Sequence, residues 1–221
     1  MRGKLIVIDG LDGSGKSTQA QLLWERLKGL PGGAELISYP DYKKPSSTLV
    51  RMYLNGEFSE NADDVNAYAA STFYAADRYA GYMQHWGALY RQGKTILASR
   101  YVSSNAIHQM VKLPRAEWDA FLAWLADYEY EKLELPRPDL VLFLDMPRIV
   151  ADRLILSRYG GDESKKDIHE RNRAYLEKCE QSAQYAAQKK GWHVIPCSDG
   201  TNPFPVDTIA EQIWTAVSTV L

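Results

Sequence analysis

Gly10-Leu11-Asp12-Gly13-Ser14-Gly15-Lys16-Ser17-Thr18 fits the pattern G-x-x-x-x-G-K-[ST], and its reading decides the fold. The apolar run Leu5-Ile6-Val7-Ile8 stands before it and a helix-compatible stretch, residues 19–27, follows. Strand, glycine-rich turn and helix form the setting in which such a loop cradles phosphates. Glycines let backbone N–H groups converge on phosphate oxygens, and the helix N-terminus adds partial positive charge. In that setting Lys16 reaches the β- and γ-phosphates and the Ser17 hydroxyl ligates Mg²⁺. Gly10 through Thr18 are therefore expected to bind a nucleoside triphosphate.

Outward from this loop, apolar runs alternate with segments of helical period. Strands are expected at 4–9, 34–38, 95–99, 140–145 and 192–196. Helices are expected at 17–28, 47–55, 62–91, 103–112, 115–132, 149–156, 168–190 and 206–220. Runs such as Leu140-Val141-Leu142-Phe143-Leu144 are continuously apolar, as strands covered on both faces are. The expectation is an α/β P-loop NTPase fold: a five-stranded parallel sheet with helices on both faces, in one domain spanning 1–221. Ligands of such sheets collect beyond the carboxyl ends of the strands, where Asp9, Pro40, Ser99-Arg100 and Asp145 fall. The loop Tyr39-Pro40-Asp41-Tyr42-Lys43-Lys44-Pro45 follows the second strand. A second loop, Ser157-Arg158-Tyr159-Gly160-Gly161-Asp162-Glu163-Ser164-Lys165-Lys166, is glycine-hinged and rich in cations. It reads as a lid over 157–167 that closes on phosphates.

Composition narrows the partners. A 45% hydrophobic and 24% charged chain of 221 residues with net charge −2 is a globular protein without a surface built to coat nucleic acid. No apolar stretch approaches membrane-spanning length, and the chain opens on a strand-like segment rather than a signal peptide. Neither a nucleic-acid polymer nor a membrane is expected as partner. Cys179 and Cys197 form no C-x-x-C pair and read as free thiols in a reducing cytoplasm.

A P-loop alone leaves GTPases, ATPases, motors and small-molecule kinases open. Tyr74 and Arg78 stand four residues apart in a proline-free segment, so they share a helix face. A ring and a guanidinium there suit a flat base with carbonyls, one stacking and the other donating hydrogen bonds. Ser99-Arg100-Tyr101 ends a strand, where an Arg can bridge donor and acceptor phosphates. Ser104-Asn105 follows one turn later, and an Asn amide can read a base edge.

With these pieces the chain resembles the thymidylate kinase family of nucleoside monophosphate kinases over essentially its whole length. The carriers are the P-loop with acidic Asp12, the Tyr74…Arg78 segment, Arg100-Tyr101-Val102-Ser103-Ser104-Asn105, Pro138-Asp139-Leu140-Val141-Leu142-Phe143-Leu144-Asp145, and the lid followed by Asp167-Ile168-His169-Glu170. The resemblance implies ATP- and Mg²⁺-dependent conversion of dTMP to dTDP by a cytoplasmic homodimer. It places Tyr74 on the thymine face, Arg78 and Asn105 on its edge, and Tyr42 and Arg100 on the acceptor phosphate. Ser104 and His108 lie nearby, His108 where an aromatic is common beside the sugar. Asp12 is placed on the 3′-hydroxyl or the metal shell, with Asp9 or Asp12 reaching Mg²⁺ through water.

Some family members carry an Arg at the P-loop position that Gly13 holds here, and others supply cations from the lid. This chain matches the second kind, so Lys16, Arg100, Arg158, Lys165 and Lys166 are the catalytic candidates, with Arg153 a further one. The family's usual Asp-Arg-Tyr is Ser99-Arg100-Tyr101 here, which removes a carboxylate from the metal's surroundings. The residues themselves leave rivals: a kinase for another nucleoside monophosphate, a deoxynucleoside kinase with only Asp12 to serve as base, and a nucleotide-binding regulator without turnover.

Overall fold

Leu5–Gly10 (β1) is buried along its whole length, and the protein is built around it. The structure, a computed structural model, describes residues 2–59, 61–158 and 173–221. β1 pairs in parallel with Thr95–Ser99 (β3) on one side, Leu5 opposite Ile96 and Ile8 opposite Ser99. On the other side it pairs with Leu140–Asp145 (β4), Ile6 opposite Leu140 and Gly10 opposite Leu144. Ala34–Ser38 (β2) and His193–Pro196 (β5) complete a five-stranded sheet of order β2-β3-β1-β4-β5, parallel throughout.

Alternate residues of β1 feed two cores, because side chains of a strand point to opposite faces. Leu5 and Val7 pack with Ile96, Ala98, Trp86, Tyr101, Phe121 and Leu125. That layer is supplied by Ala67–Gly81 (α3), Val102–His108 (α5) and Trp118–Ala126 (α6). Ile6 and Ile8 pack with Leu23, Leu27, Ile209 and Ile213 on the opposite face. Lys16–Leu27 (α1) and Val206–Ser218 (α9) carry that second layer. The expected parallel sheet with helices on both faces is therefore the one found. Thr48–Leu54 (α2), Gly87–Arg91 (α4), Arg148–Arg158 (α7) and Arg173–Lys190 (α8) complete the helices of the described residues.

The helix expected over 62–91 is instead four pieces. Ala62–Asp64 is a single 3₁₀ turn, and α3 begins after Asn66, whose side chain accepts from Ala69 N at 2.9 Å. Tyr82–Trp86 then winds as a π turn before α4. Packing explains the wide turn. Gly81 lies so close to Tyr39 that an added Cβ would stand 2.3 Å from its hydroxyl, and buried Trp86 donates Nε1 to that hydroxyl at 2.8 Å. The segment 115–132 likewise resolves into a 3₁₀ turn, α6 and a π turn over Asp127–Lys132. In 103–112, α5 ends at His108 and a 3₁₀ turn follows. Of the expected lid, Ser157 and Arg158 close α7, while 159–167, with Lys165 and Lys166, lie outside the described residues, as do 168–172 of the helix expected at 168–190. Both cysteines are free and buried. No helix among the described residues is long and apolar enough to cross a membrane.

Candidate active site

The pairing of β1 with β3 sets the loop after Ile8-Asp9-Gly10 beside the turn after Ser99. Gly13 and Gly15 hold φ of 80° and 86°, left-handed values that glycine adopts at little cost. At the first residue of α1, Lys16 folds inward. Its Nζ donates to Leu11 O at 2.6 Å and lies 3.6 Å from the Asp12 carboxylate. Burial, with a smaller push from the Arg100 charge, lowers its amine from 10.5 to about 8. The buried Ser14 hydroxyl has no hydrogen-bond partner among the described residues, whereas Ser17, the second residue of α1, is exposed. A buried cation and an unsatisfied hydroxyl in one loop are groups that a phosphate oxygen would satisfy.

Below the loop, buried Asp9 accepts from the Ser103 and Ser104 hydroxyls at 2.6 and 2.7 Å and from Gly10 N at 2.9 Å. The first turn of α5 is thereby tied to the end of β1. Arg100 sits between strand and helix with φ of 69°, its N–H donating to Ile8 O at 3.0 Å. A non-glycine residue held there marks a position fixed by its surroundings. Its Nη2 bonds the Asp12 carboxylate, its Nη1 lies 3.0 Å from His108 Nε2, and Asp9 is 3.9 Å away.

These elements enclose a cavity of about 240 Å³. Asp12, Tyr42, Tyr74, Arg78, Arg100, Ser104, Asn105 and His108 all line it, so the residues singled out for an acceptor nucleotide converge on one space from five segments of chain. The Ser104 hydroxyl is engaged with Asp9, and Tyr42 is 54% exposed at the rim. Among the cation candidates, Arg153 donates Nη2 to Thr201 O, in the segment between β5 and α9. The Arg158 side chain, Lys165 and Lys166 lie outside the described residues.

Three further residues belong to the site. Glu129, fully buried in the π turn after α6, accepts from Arg78 Nε and Nη2 at 2.6 Å each and from Asn105 Nδ2 at 3.1 Å. Burial opposes the Arg78 charge, and the Glu129 carboxylate outweighs it, so the guanidinium is held above its ordinary value. The one trace of Glu129 in sequence is its spacing from Leu122 and Leu125, which puts a carboxylate on a buried helix face. Gln109 is 1% exposed, lines the cavity, and its Oε1 has no partner among the described residues. Asp77 accepts from Asp41 N at 2.8 Å and from the Ser46 hydroxyl at 2.5 Å, fixing the loop that carries Tyr42.

A family model described as thymidylate kinase matches residues 8–204. A thymidylate kinase of Schizosaccharomyces pombe is 33% identical over 166 residues, 75% of this chain and 70% of that protein. One from Mycobacterium tuberculosis is 29% identical over 170 residues, 76% and 78% of the two chains. Among solved structures, the thymidylate kinase of Candida albicans superposes with a TM-score of 0.69 at 24% identity, covering 99% of this chain and 92% of that one.

Proposed function

The chain belongs to the thymidylate kinase family and phosphorylates dTMP with ATP as donor, and from that premise we propose which of its residues carry the reaction. The observation that carries the assignment is the convergence of the acceptor residues on one cavity beside buried Lys16. In this reading Gly10 to Thr18 bind the ATP phosphates, with Lys16 on the transferred group. Tyr74 stacks on thymine, Arg78 and Asn105 read its edge, and Arg100 and Tyr42 bind the acceptor phosphate. Ser104 and His108 border the sugar. Asp12, bonded to Arg100, serves the 3′-hydroxyl or the metal's water shell. Arg158, Lys165 and Lys166 supply charge to the transition state from the lid.

The acceptor oxygen is already ionised near neutral pH, because a phosphate's second pKa is about 6. In-line transfer then needs positioning and charge neutralisation rather than a strong base. Mg²⁺ fits this site as an ion that arrives with the nucleotide. Among the described residues no cluster of three His, Cys, Asp or Glu is arranged to hold a metal, while exposed Ser17 offers its hydroxyl and Asp9 a carboxylate reached through water. There it would neutralise charge on the β- and γ-phosphates. Residues 1–221 act as one domain and, through helices packed on one face of the sheet, as a homodimer. Two buried free thiols favour the reducing cytoplasm.

A coupled ADP-release assay over a panel of nucleosides and monophosphates tests the assignment. dTMP should be the best acceptor, dUMP next, with dCMP and the purine monophosphates poor. Lys16→Ala should fall below about a tenth of wild-type turnover with the fold intact. A purine monophosphate or dCMP as best acceptor would overturn the base assignment.

A further inference from the structure

The acceptor cavity ends on a buried ion pair that touches two of its walls. Three of the five Arg78 N–H groups are committed: Nε and Nη2 to Glu129, and Nη1 to Tyr101 O at 3.4 Å. One hydrogen each on Nη1 and Nη2 remains for the cavity Arg78 lines. Asn105 is more tightly constrained. Its Nδ2 donates to Ser71 O at 3.2 Å and to Glu129 Oε1 at 3.1 Å, which uses both amide hydrogens on acceptors behind the wall. A flipped amide would set Oδ1 against a carboxylate and a carbonyl, two acceptor–acceptor contacts in a site 1% exposed. The group Asn105 presents to the cavity is therefore its carbonyl.

We propose that Glu129 is a positioning residue that sets the base specificity of the site: by fixing the Asn105 amide and the Arg78 fork together, it makes the cavity wall present one acceptor beside donors. The inference rests on the acceptor-site reading above. That pattern complements a pyrimidine edge with a C4 carbonyl and an N3–H, which accepts from Arg78 and donates to Asn105. Cytosine carries the inverse, an amino group at C4 and a bare N3, and would place donor against donor and acceptor against acceptor. Glu129 touches no substrate in this account. Its charge fits the role as a neutral amide would not, since only a carboxylate accepts on both oxygens from Arg78 and Asn105 at once.

The test compares dTMP with 5-methyl-dCMP, which differ only on this edge, by kcat/KM and by calorimetric Kd. Wild type should favour dTMP at least about 100-fold, since mismatched buried polar groups are strongly rejected. Glu129→Gln frees the Asn105 amide to turn, so that preference should fall at least tenfold, with dTMP losing affinity and 5-methyl-dCMP losing little or gaining. The dTMP-to-dUMP ratio should stay within about twofold, because the methyl group is read elsewhere; a general loosening of the pocket would move it. If the Gln variant does not fold, Glu129→Asp asks the same question. It keeps the charge for Arg78 but withdraws the carboxylate from Asn105, and the edge preference should again fall. An edge preference unchanged in the folded variant, with both nucleotides weakened alike, overturns the proposal. A wild type without edge preference refutes the base reading itself, and so separates the two failures.

Discussion

Gly13→Ala probes how the P-loop meets the helix that leads to the lid. Gly13 has φ of 80°, and a Cβ added there would stand 2.8 Å from Ala151 O, 3.0 Å from Ile155 Cγ1 and 3.1 Å from Ala151 Cβ, all on α7. The left-handed backbone costs an L-residue about 1–2 kcal/mol. Overpacking against a carbonyl, which cannot rotate away as a side-chain tip can, adds about 1–3 kcal/mol. The variant should therefore lose about 2–5 kcal/mol, and at about 2–4 °C per kcal/mol for a chain of this size its Tm should drop by roughly 4–20 °C. Gly191→Ala is the control. Gly191 has φ of 64° with nothing within 4 Å of an added Cβ, so it carries the backbone strain alone. The difference between the two variants in urea and thermal melts isolates the α7 contact. The molecule can relieve that contact by moving α7. Stability is then recovered at the expense of kcat, because α7 leads into the segment bearing Lys165 and Lys166. Gly13→Ala matching Gly191→Ala in both Tm and kcat would refute the reasoning. The same contact leaves no room for a longer side chain at position 13 unless α7 shifts.

Between pH about 8 and 10.5 the unfolded chain holds the Lys16 proton that the native site has released, so this group's contribution to stability rises with pH across that window. ATP phosphates favour the charged amine, so binding at pH 9 should take up a proton, visible by calorimetry in buffers of different ionisation enthalpy and abolished in Lys16→Met. Wild-type binding without uptake at pH 9 would contradict the buried lysine. Asp77→Ala removes the carboxylate partner of Asp41 N and Ser46, worth about 2 kcal/mol in thermal melts, and should raise the dTMP KM more than the ATP KM. Equal changes in the two would detach the 39–45 loop from acceptor binding.

The strands were legible because their signal is local: a run such as Leu5-Ile6-Val7-Ile8 is apolar at every position, and the described β1 departs from 4–9 by one residue at each end. The P-loop was legible because the motif is contiguous. Helix period through 62–91 and 115–132 could not reveal the two π turns, since each widens the helix where tertiary packing requires it, at Gly81 against Tyr39 and around Glu129. Arg78 was legible as a donor to a base from its helix face shared with Tyr74, and Asn105 as an amide able to read a base edge one turn after the end of β3. Their orientation was not, since it depends on a residue 51 positions from the first and 24 from the second.

That dependence also says why a carboxylate stands where an apolar residue would pack. A buried Arg–Glu pair contributes little net stability over an apolar replacement, because desolvation offsets the attraction. Retaining Arg78 at the cavity wall commits the fold to burying a cation, and Glu129 neutralises it with two bonds of 2.6 Å. Once placed, the same carboxylate holds Asn105 in one of its two amide orientations. Removing Glu129 alone should therefore cost more than replacing Arg78 and Glu129 together, since only the single change leaves a buried charge unpaired. A double-mutant cycle on Arg78→Met and Glu129→Leu reads that coupling directly, and additive losses would mean that the pair does not act as a unit.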